Sequence, residues 1–65
     1  MNKFIGIHQA PDGQIWTEVT EASDVEEATE KLERNDTNLM VLYLQEAKRL
    51  FAKLAETLNS IENDG

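Results

Sequence analysis

The stretch NDTNLMVLYLQEAKRL, residues 35–50, decides how the second half of this chain folds. Apolar residues follow one another without interruption from Leu39 to Leu44, and a helix-like pattern continues directly after them. The run is therefore either a buried strand that leads into a helix or the first turns of one long helix. The choice between them also decides which surface is left for a partner.

One long helix over residues 38–62 is the preferred interpretation. Apolar residues recur at alternating spacings of four and three, which is a heptad seam. The seam consists of Met40, Leu44, Ala47, Phe51, Leu54, Leu58 and Ile61. Asp36, Thr37 and Asn38 are good helix caps, whereas a helix that began near Leu44 would have no capping residue. The pattern thus favours a long amphipathic C-terminal helix.

Val41 and Leu42 support the alternative, because they lie off this seam. In a continuous helix, these two residues together with the seam would make nearly every side of its first two turns apolar. A third strand over residues 38–44 would bury both side chains as an ordinary apolar run. The alternative therefore stays open.

A β-hairpin is predicted at the N-terminus. Two stretches of alternating polarity, residues 2–9 and 14–20, flank the turn sequence APDG. Its proline pre-sets the first central turn position, and Gly13 can take the left-handed conformation that closes a three-residue loop. Ala10 should then pair with Gln14.

This turn implies the partners across the hairpin. One face pairs His8 with Trp16, Gly6 with Glu18 and Phe4 with Thr20; the other pairs Ile7 with Thr17, Ile5 with Val19 and Gln9 with Ile15. The second face, with Ile5, Ile7, Ile15 and Val19, is expected to face the core. The first face is expected to be covered by the long helix or by a second subunit, because it carries Phe4 and Trp16.

A short acidic helix should follow and end near Arg34. Ser23 is the expected cap, and Glu26 completes a capping box. Ion pairs one turn apart are expected between Glu27 and Lys31 and between Glu30 and Arg34. The predicted fold class is α+β in the order ββαα, with ββαβα as the alternative.

The chain has 65 residues and is expected to form one small domain, residues 1–65, with a frayed tail at 62–65. A domain of this size is marginally stable unless disulfides, a metal or self-association help it. It has no cysteine and one histidine, which excludes disulfides and thiolate or histidine-cluster metal sites. Self-association remains, and a homodimer is expected.

The net charge of −7 bears on the choice of partner. Direct binding to nucleic acid depends on basic residues at phosphates, so it is not expected. Anionic membrane surfaces are disfavoured for the same reason. The sequence has no apolar stretch long enough to span a membrane and no secretory signal pattern, so a cytoplasmic location is expected.

The acidic residues suggest a surface for a basic protein partner, for example one that itself binds nucleic acid. The predicted members are Glu18, Glu21, Asp24, Glu26, Glu30 and Glu33. Alternatively, the basic residues Lys48, Arg49 and Lys53 lie near the acidic helix, in the same chain or in a dimer mate. The predicted self-association or anchor residues are Phe4, Trp16, Val41, Leu42 and Tyr43.

No catalytic residue, cofactor or metal site is predicted. Nucleophilic catalysis needs an activated nucleophile beside a base, and no serine is predictably near His8. The glutamates of the acidic helix are expected to form a solvated face. The preferred function is a non-enzymatic, self-associating regulator or inhibitor, which a phage-encoded protein would fit. A structural assembly subunit is the second hypothesis, and an enzyme that uses His8 is the least favoured.

Overall fold

A computed structural model describes residues 1–64, with the side chains of residues up to 61. The elements are β1 (Asn2–Gln9), β2 (Ile15–Ala22), α1 (Val25–Leu32), β3 (Asn38–Tyr43) and α2 (Leu44–Asp64). The strands form one antiparallel sheet in the order β2-β1-β3, with β1 in the centre. The α+β class is confirmed, and the order is ββαβα.

The hairpin is confirmed together with its register. The amide of Ala10 donates to the carbonyl of Gln14 over 2.9 Å, and the amide of Gly13 donates to the carbonyl of Ala10 over 2.9 Å. Gly13 has a φ of 94°, the left-handed conformation that the loop requires. All the predicted cross-strand partners, from Phe4 with Thr20 to Gln9 with Ile15, are observed.

The long helix from residue 38 is wrong, and residues 38–43 form the third strand of the alternative. β1 is the central strand, and its second edge obtains its hydrogen-bonding partner only if this segment is extended. The strand places Val41 on the same side as Gly6 and places Leu42 opposite Ile5 on the other side. α2 begins at Leu44 directly after the strand, and no side-chain cap is seen there among the described residues.

The predicted core face is also wrong. Helix α1 packs on the face that carries Phe4, Gly6 and His8, all of which are buried. The buried core cluster joins Phe4 to Ala22 and Ala28, and Val41 packs against it. The face that was expected to be the core carries Ile5, Ile7, Ile15 and Val19. Ile5 and Ile7 are only half-buried, whereas Ile15 and Val19 are exposed.

The start of α1 lies one residue later than predicted. Asp24 is the cap, and its Oδ1 accepts from the amide of Glu27 over 2.8 Å. Ser23 precedes the cap and donates from Oγ to Glu27 Oε2 over 2.9 Å. Asp24 takes the capping role expected of Ser23, and the Glu27 carboxylate accepts from the amide and the hydroxyl of Ser23 rather than from the amide of the cap. The helix ends at Leu32 rather than near Arg34.

Helix α2 extends beyond the sheet. Ala47 is buried, while the described residues from Lys48 onward are exposed. The molecule measures 42 × 30 × 12 Å, and its shortest dimension corresponds to one sheet with one helix layer. The frayed tail at 62–65 stays a prediction, because Gly65 and the side chains of 62–64 lie outside the described part of the chain.

Candidate interaction surfaces

His8 is buried beneath three partly exposed side chains, those of Trp16, Glu18 and Arg34. Its ring stacks on Trp16, with the ring centroids 5.0 Å apart and the planes 8° from parallel. Its Nε2 lies 3.1 Å from Glu18 Oε1, although the two atoms are not aligned for a hydrogen bond. Arg34 Nη2 donates to the other carboxylate oxygen of Glu18 over 3.0 Å. The predicted cross-strand neighbours His8 and Trp16 are therefore stacked, with His8 buried and Trp16 partly exposed.

This geometry gives His8 a role in packing. The residue is completely buried, so its ring does not face solvent in the single chain. Glu18 is held between His8 and Arg34, which joins β2 to the segment after α1. The predicted pair of Arg34 with Glu30 is replaced, because α1 ends before Arg34 and the guanidinium reaches Glu18 instead.

Five exposed carboxylates form what we call the acidic surface. It consists of Glu21, Asp24, Glu26, Glu30 and Glu33. Glu18 was predicted to belong to it but lies apart, because it is engaged by Arg34 and His8. Among the described residues, no basic side chain forms an ion pair with the five. The charge of the acidic surface is therefore not compensated by an ion pair in the part of the chain that the structure describes.

Glu27 lies beside this surface but is locally neutralised. Its carboxylate contacts Lys31 Nζ at 3.4 Å, so this predicted ion pair is confirmed. The hydrogen bond from Ser23 and the contact with Lys31 hold the pKa of Glu27 below its ordinary value of 4.5. Lys31 Nζ also donates to the carbonyl of Glu21 over 2.8 Å, which ties α1 to the end of β2.

The sheet has a second, uncovered side, which we call the open sheet face. It carries the apolar residues Ile5, Ile7, Ile15, Val19, Met40 and Leu42. Ile15 is 66% exposed, and Val19 and Met40 are each 56% exposed. A shallow depression of about 260 Å³ lies between Ile7, Ile15 and Met40. Exposed apolar patches are characteristic of interaction sites, so the open sheet face is a candidate interaction surface.

A second apolar surface runs along helix α2, and we call it the α2 seam. It consists of Leu50, Phe51, Leu54, Leu58 and Ile61, which are between 40% and 62% exposed. The heptad spacing that placed them on one side of a helix is confirmed for α2. The sheet buries only the first turns of this helix, so no part of residues 1–61 covers the seam.

The predicted anchor residues lie in different surroundings. Phe4 is fully buried, and its ring lies 4.6 Å from that of Tyr43, so it is not available at the surface. Trp16 and Tyr43 are 37% and 38% exposed. Val41 packs against the core, and Leu42 lies half-buried on the open sheet face.

Sequence reasoning missed the open sheet face as an exposed surface. Ile5, Ile7, Ile15 and Val19 were recognised as one apolar face, but the strand pattern carries large apolar or aromatic residues on both sides. The available signal was Phe4 and His8 on one side of β1, with a small residue, Gly6, between them. That small residue leaves room for a helix, as the contact with Leu32 shows.

The basic residues of α2 form no ion pair with the acidic surface in the described part of the chain. Lys53 contacts Glu56 on the same helix, with Nζ and Oε2 3.3 Å apart. Within the described part of the chain, neither Lys48 nor Arg49 forms an ion pair with α1. The expectation that these charges lie near the acidic helix, in the same chain or in a dimer mate, therefore stays a prediction.

The described residues contain no group of three or more histidine, aspartate or glutamate side chains placed to hold a metal ion. None of the helices in residues 1–64 is long and apolar enough to cross a membrane. Comparisons of the chain with protein-family models, with curated proteins and with solved structures found no match.

Proposed function

We propose that the protein is a non-enzymatic interaction module that self-associates and regulates or inhibits a basic protein partner. The observation that carries the proposal is the acidic surface on and beside α1, whose carboxylates have no basic partner among the described residues. A cluster of like charges on a small domain repels itself and favours association with an oppositely charged surface.

The arrangement of the two kinds of surface supports this proposal. α1 covers one face of the sheet, so the carboxylates of α1 lie on the side away from the open sheet face, whereas Glu21 of β2 lies on the same side of the strand as Val19 and borders that face. The protein can therefore self-associate through apolar residues while the carboxylates of α1 stay accessible. Electrostatic contacts of this kind mainly raise the association rate and weaken with salt.

A structural assembly subunit is the second candidate. Two different apolar surfaces on one chain, the open sheet face and the α2 seam, can make a closed pair or an open series of head-to-tail contacts. Sedimentation separates the two cases, because a closed dimer supports the regulator and larger species support the assembly subunit.

The test compares two charge reversals of equal size. Glu26→Lys with Glu30→Lys changes the acidic surface, whereas Glu46→Lys with Glu56→Lys makes the same change in net charge on α2. Immobilised wild-type protein at low salt should capture a basic protein from cell lysate, and mass spectrometry identifies it. The first variant should lose this capture and the second should keep it.

Equal capture by the two variants contradicts the proposal, because net charge alone would then decide binding. The absence of any basic protein in the wild-type eluate contradicts it as well. Circular dichroism should show that both variants keep the wild-type helix content.

A further inference from the structure

We propose that a second copy of this chain covers both apolar surfaces, with the α2 seam of each copy lying on the open sheet face of the other. The inference specifies the self-association that the proposed function includes, and it does not depend on the basic partner. The partner on these surfaces is another copy of the chain, because the area that one chain leaves uncovered matches the area that one protomer buries in a stable dimer.

The accessible surface provides the first argument. The chain exposes 5006 Å². A compact monomer of 7.4 kDa is expected to expose about 4,200 Å². The excess of about 800 Å² equals the area that each partner buries in a protein interface of standard size. The accessible surface of the single chain therefore exceeds that of a compact monomer by about the area that one protomer buries in a dimer interface.

The shape of the molecule provides the second argument. The radius of gyration is 14.0 Å, whereas a compact domain of this length has about 11 Å. α2 causes the difference, because it extends beyond the sheet instead of folding back on the open sheet face. If two copies pack with their open sheet faces towards each other and are offset along the helix, the projecting α2 of each copy lies over the sheet of the other.

The dimensions of the two surfaces agree. β1 and β2 have eight residues each, so the sheet is about 26 Å long. The part of α2 from Leu50 to Ile61 is about 18 Å long. The axes of the two outer strands of the sheet are about 10 Å apart, and a helix with its side chains is about 10–12 Å wide. One helix therefore covers the three strands.

Two other symmetric dimers leave one surface uncovered. A coiled coil of two α2 helices buries the α2 seam but exposes Ile15, Val19 and Met40 on the open sheet face. A sandwich of two open sheet faces does the reverse and exposes the α2 seam. Only the reciprocal arrangement buries both surfaces through one two-fold axis, in which each contact occurs twice.

The test uses chemical crosslinking, which is unambiguous here because the chain has no cysteine. One sample of protein carries Val19→Cys in the middle of β2, and a second sample carries Leu54→Cys in the middle of the α2 seam. Each is treated alone with a short bis-maleimide, and then a mixture of the two, with one of them tagged, is treated in the same way. The expected product is the mixed dimer, with little crosslinking in either single sample.

Each other pattern overturns the proposal. Efficient crosslinking of Leu54→Cys to itself indicates paired helices, and efficient crosslinking of Val19→Cys to itself indicates stacked sheets. A wild-type chain that sediments as a monomer at high protein concentration excludes a second copy as the occupant and leaves a different protein for these surfaces.

Two charged variants give an independent reading. Leu58→Glu and Val19→Glu should each remove the dimer from sedimentation profiles, because each places a carboxylate in one half of the contact. Asn59→Glu, the next residue on α2 and off the seam, should leave it intact. A dimer that survives Val19→Glu overturns the proposal. The Glu26→Lys with Glu30→Lys variant should still dimerise, which separates this proposal from that of the basic partner.

Discussion

Gly6 is the residue at which helix α1 approaches the sheet. A Cβ atom added there would lie 2.8 Å from Leu32 Cδ1 and 3.0 Å from Leu39 Cδ1. Both leucines therefore occupy the volume that a side chain on β1 would need. The absence of a side chain at this position lets Leu32 pack directly on the backbone of the central strand.

Gly6→Ala should lower the free energy of unfolding by about 1–3 kcal/mol, because overpacking displaces Leu32. Without this contact, the substitution would be stabilising by roughly 0.5–1 kcal/mol, since glycine weakens a strand. Urea denaturation of Gly6→Ala, Leu32→Val and the double variant measures the coupling between the two sites. The loss caused by Gly6→Ala should be smaller when Leu32 is Val, and strictly additive effects would contradict the proposed contact.

At the scale of elements, the hairpin, the short acidic helix and the part of the second helix after Leu44 were predictable, and the third strand was only an alternative. The turn and register depend on neighbouring residues, so local sequence is sufficient for them. The segment 38–43 depends on a distant requirement, the free edge of β1, which overrides the heptad spacing and the good caps before it. Two good capping residues stand next to each other, Ser23 and Asp24, which explains why the helix start was displaced by one position.

The N-terminus of α1 should make stability depend on the charge of Glu27. The pKa of Glu27 is lowered by the hydrogen bond from Ser23 and the contact with Lys31, so its ionised form stabilises the folded state. This contribution is present above the ordinary pKa of 4.5 and is lost as the pH falls through the lower folded-state value. Glu27→Gln should therefore lower the melting temperature at neutral pH. It should have little effect at a pH well below the folded-state pKa of Glu27, where the carboxyl is protonated in the wild type as well.

The melting temperatures of wild-type and Glu27→Gln protein, measured from neutral pH down to well below the ordinary glutamate pKa, test this prediction. Glu26→Gln is the matched control, because Glu26 is exposed and makes no ion pair among the described residues. The same loss at neutral and acidic pH for Glu27→Gln would show that its charge does not contribute.

At the scale of the whole molecule, the core is small and its location was predicted on the wrong side. The alternating pattern identified Ile5, Ile7, Ile15 and Val19 correctly as one face of the hairpin. It could not tell which face α1 covers, because that depends on the direction of the chain after β2. The candidate interaction surfaces were predictable as residue sets, whereas their exposure follows from that packing choice.

Self-association should make the stability of the whole molecule depend on concentration. A partner that binds only the folded state raises the apparent free energy of unfolding by mass action, about 2.7 kcal/mol at a hundred times the dissociation constant. The melting temperature of the wild type should rise across about a hundredfold range of protein concentration. Leu58→Glu should melt at one temperature throughout, and a constant melting temperature for the wild type would contradict self-association.

The central position of β1 also determines the order in which the chain can fold. Its pairing with β2 closes a three-residue loop, which is fast, whereas its pairing with β3 must wait until the chain has passed through β2 and α1. Until β3 arrives, β1 is itself an edge strand with unpaired backbone groups beside Ile5 and Ile7. The period between hairpin closure and arrival of the third strand is therefore when a nascent chain is most exposed to aggregation.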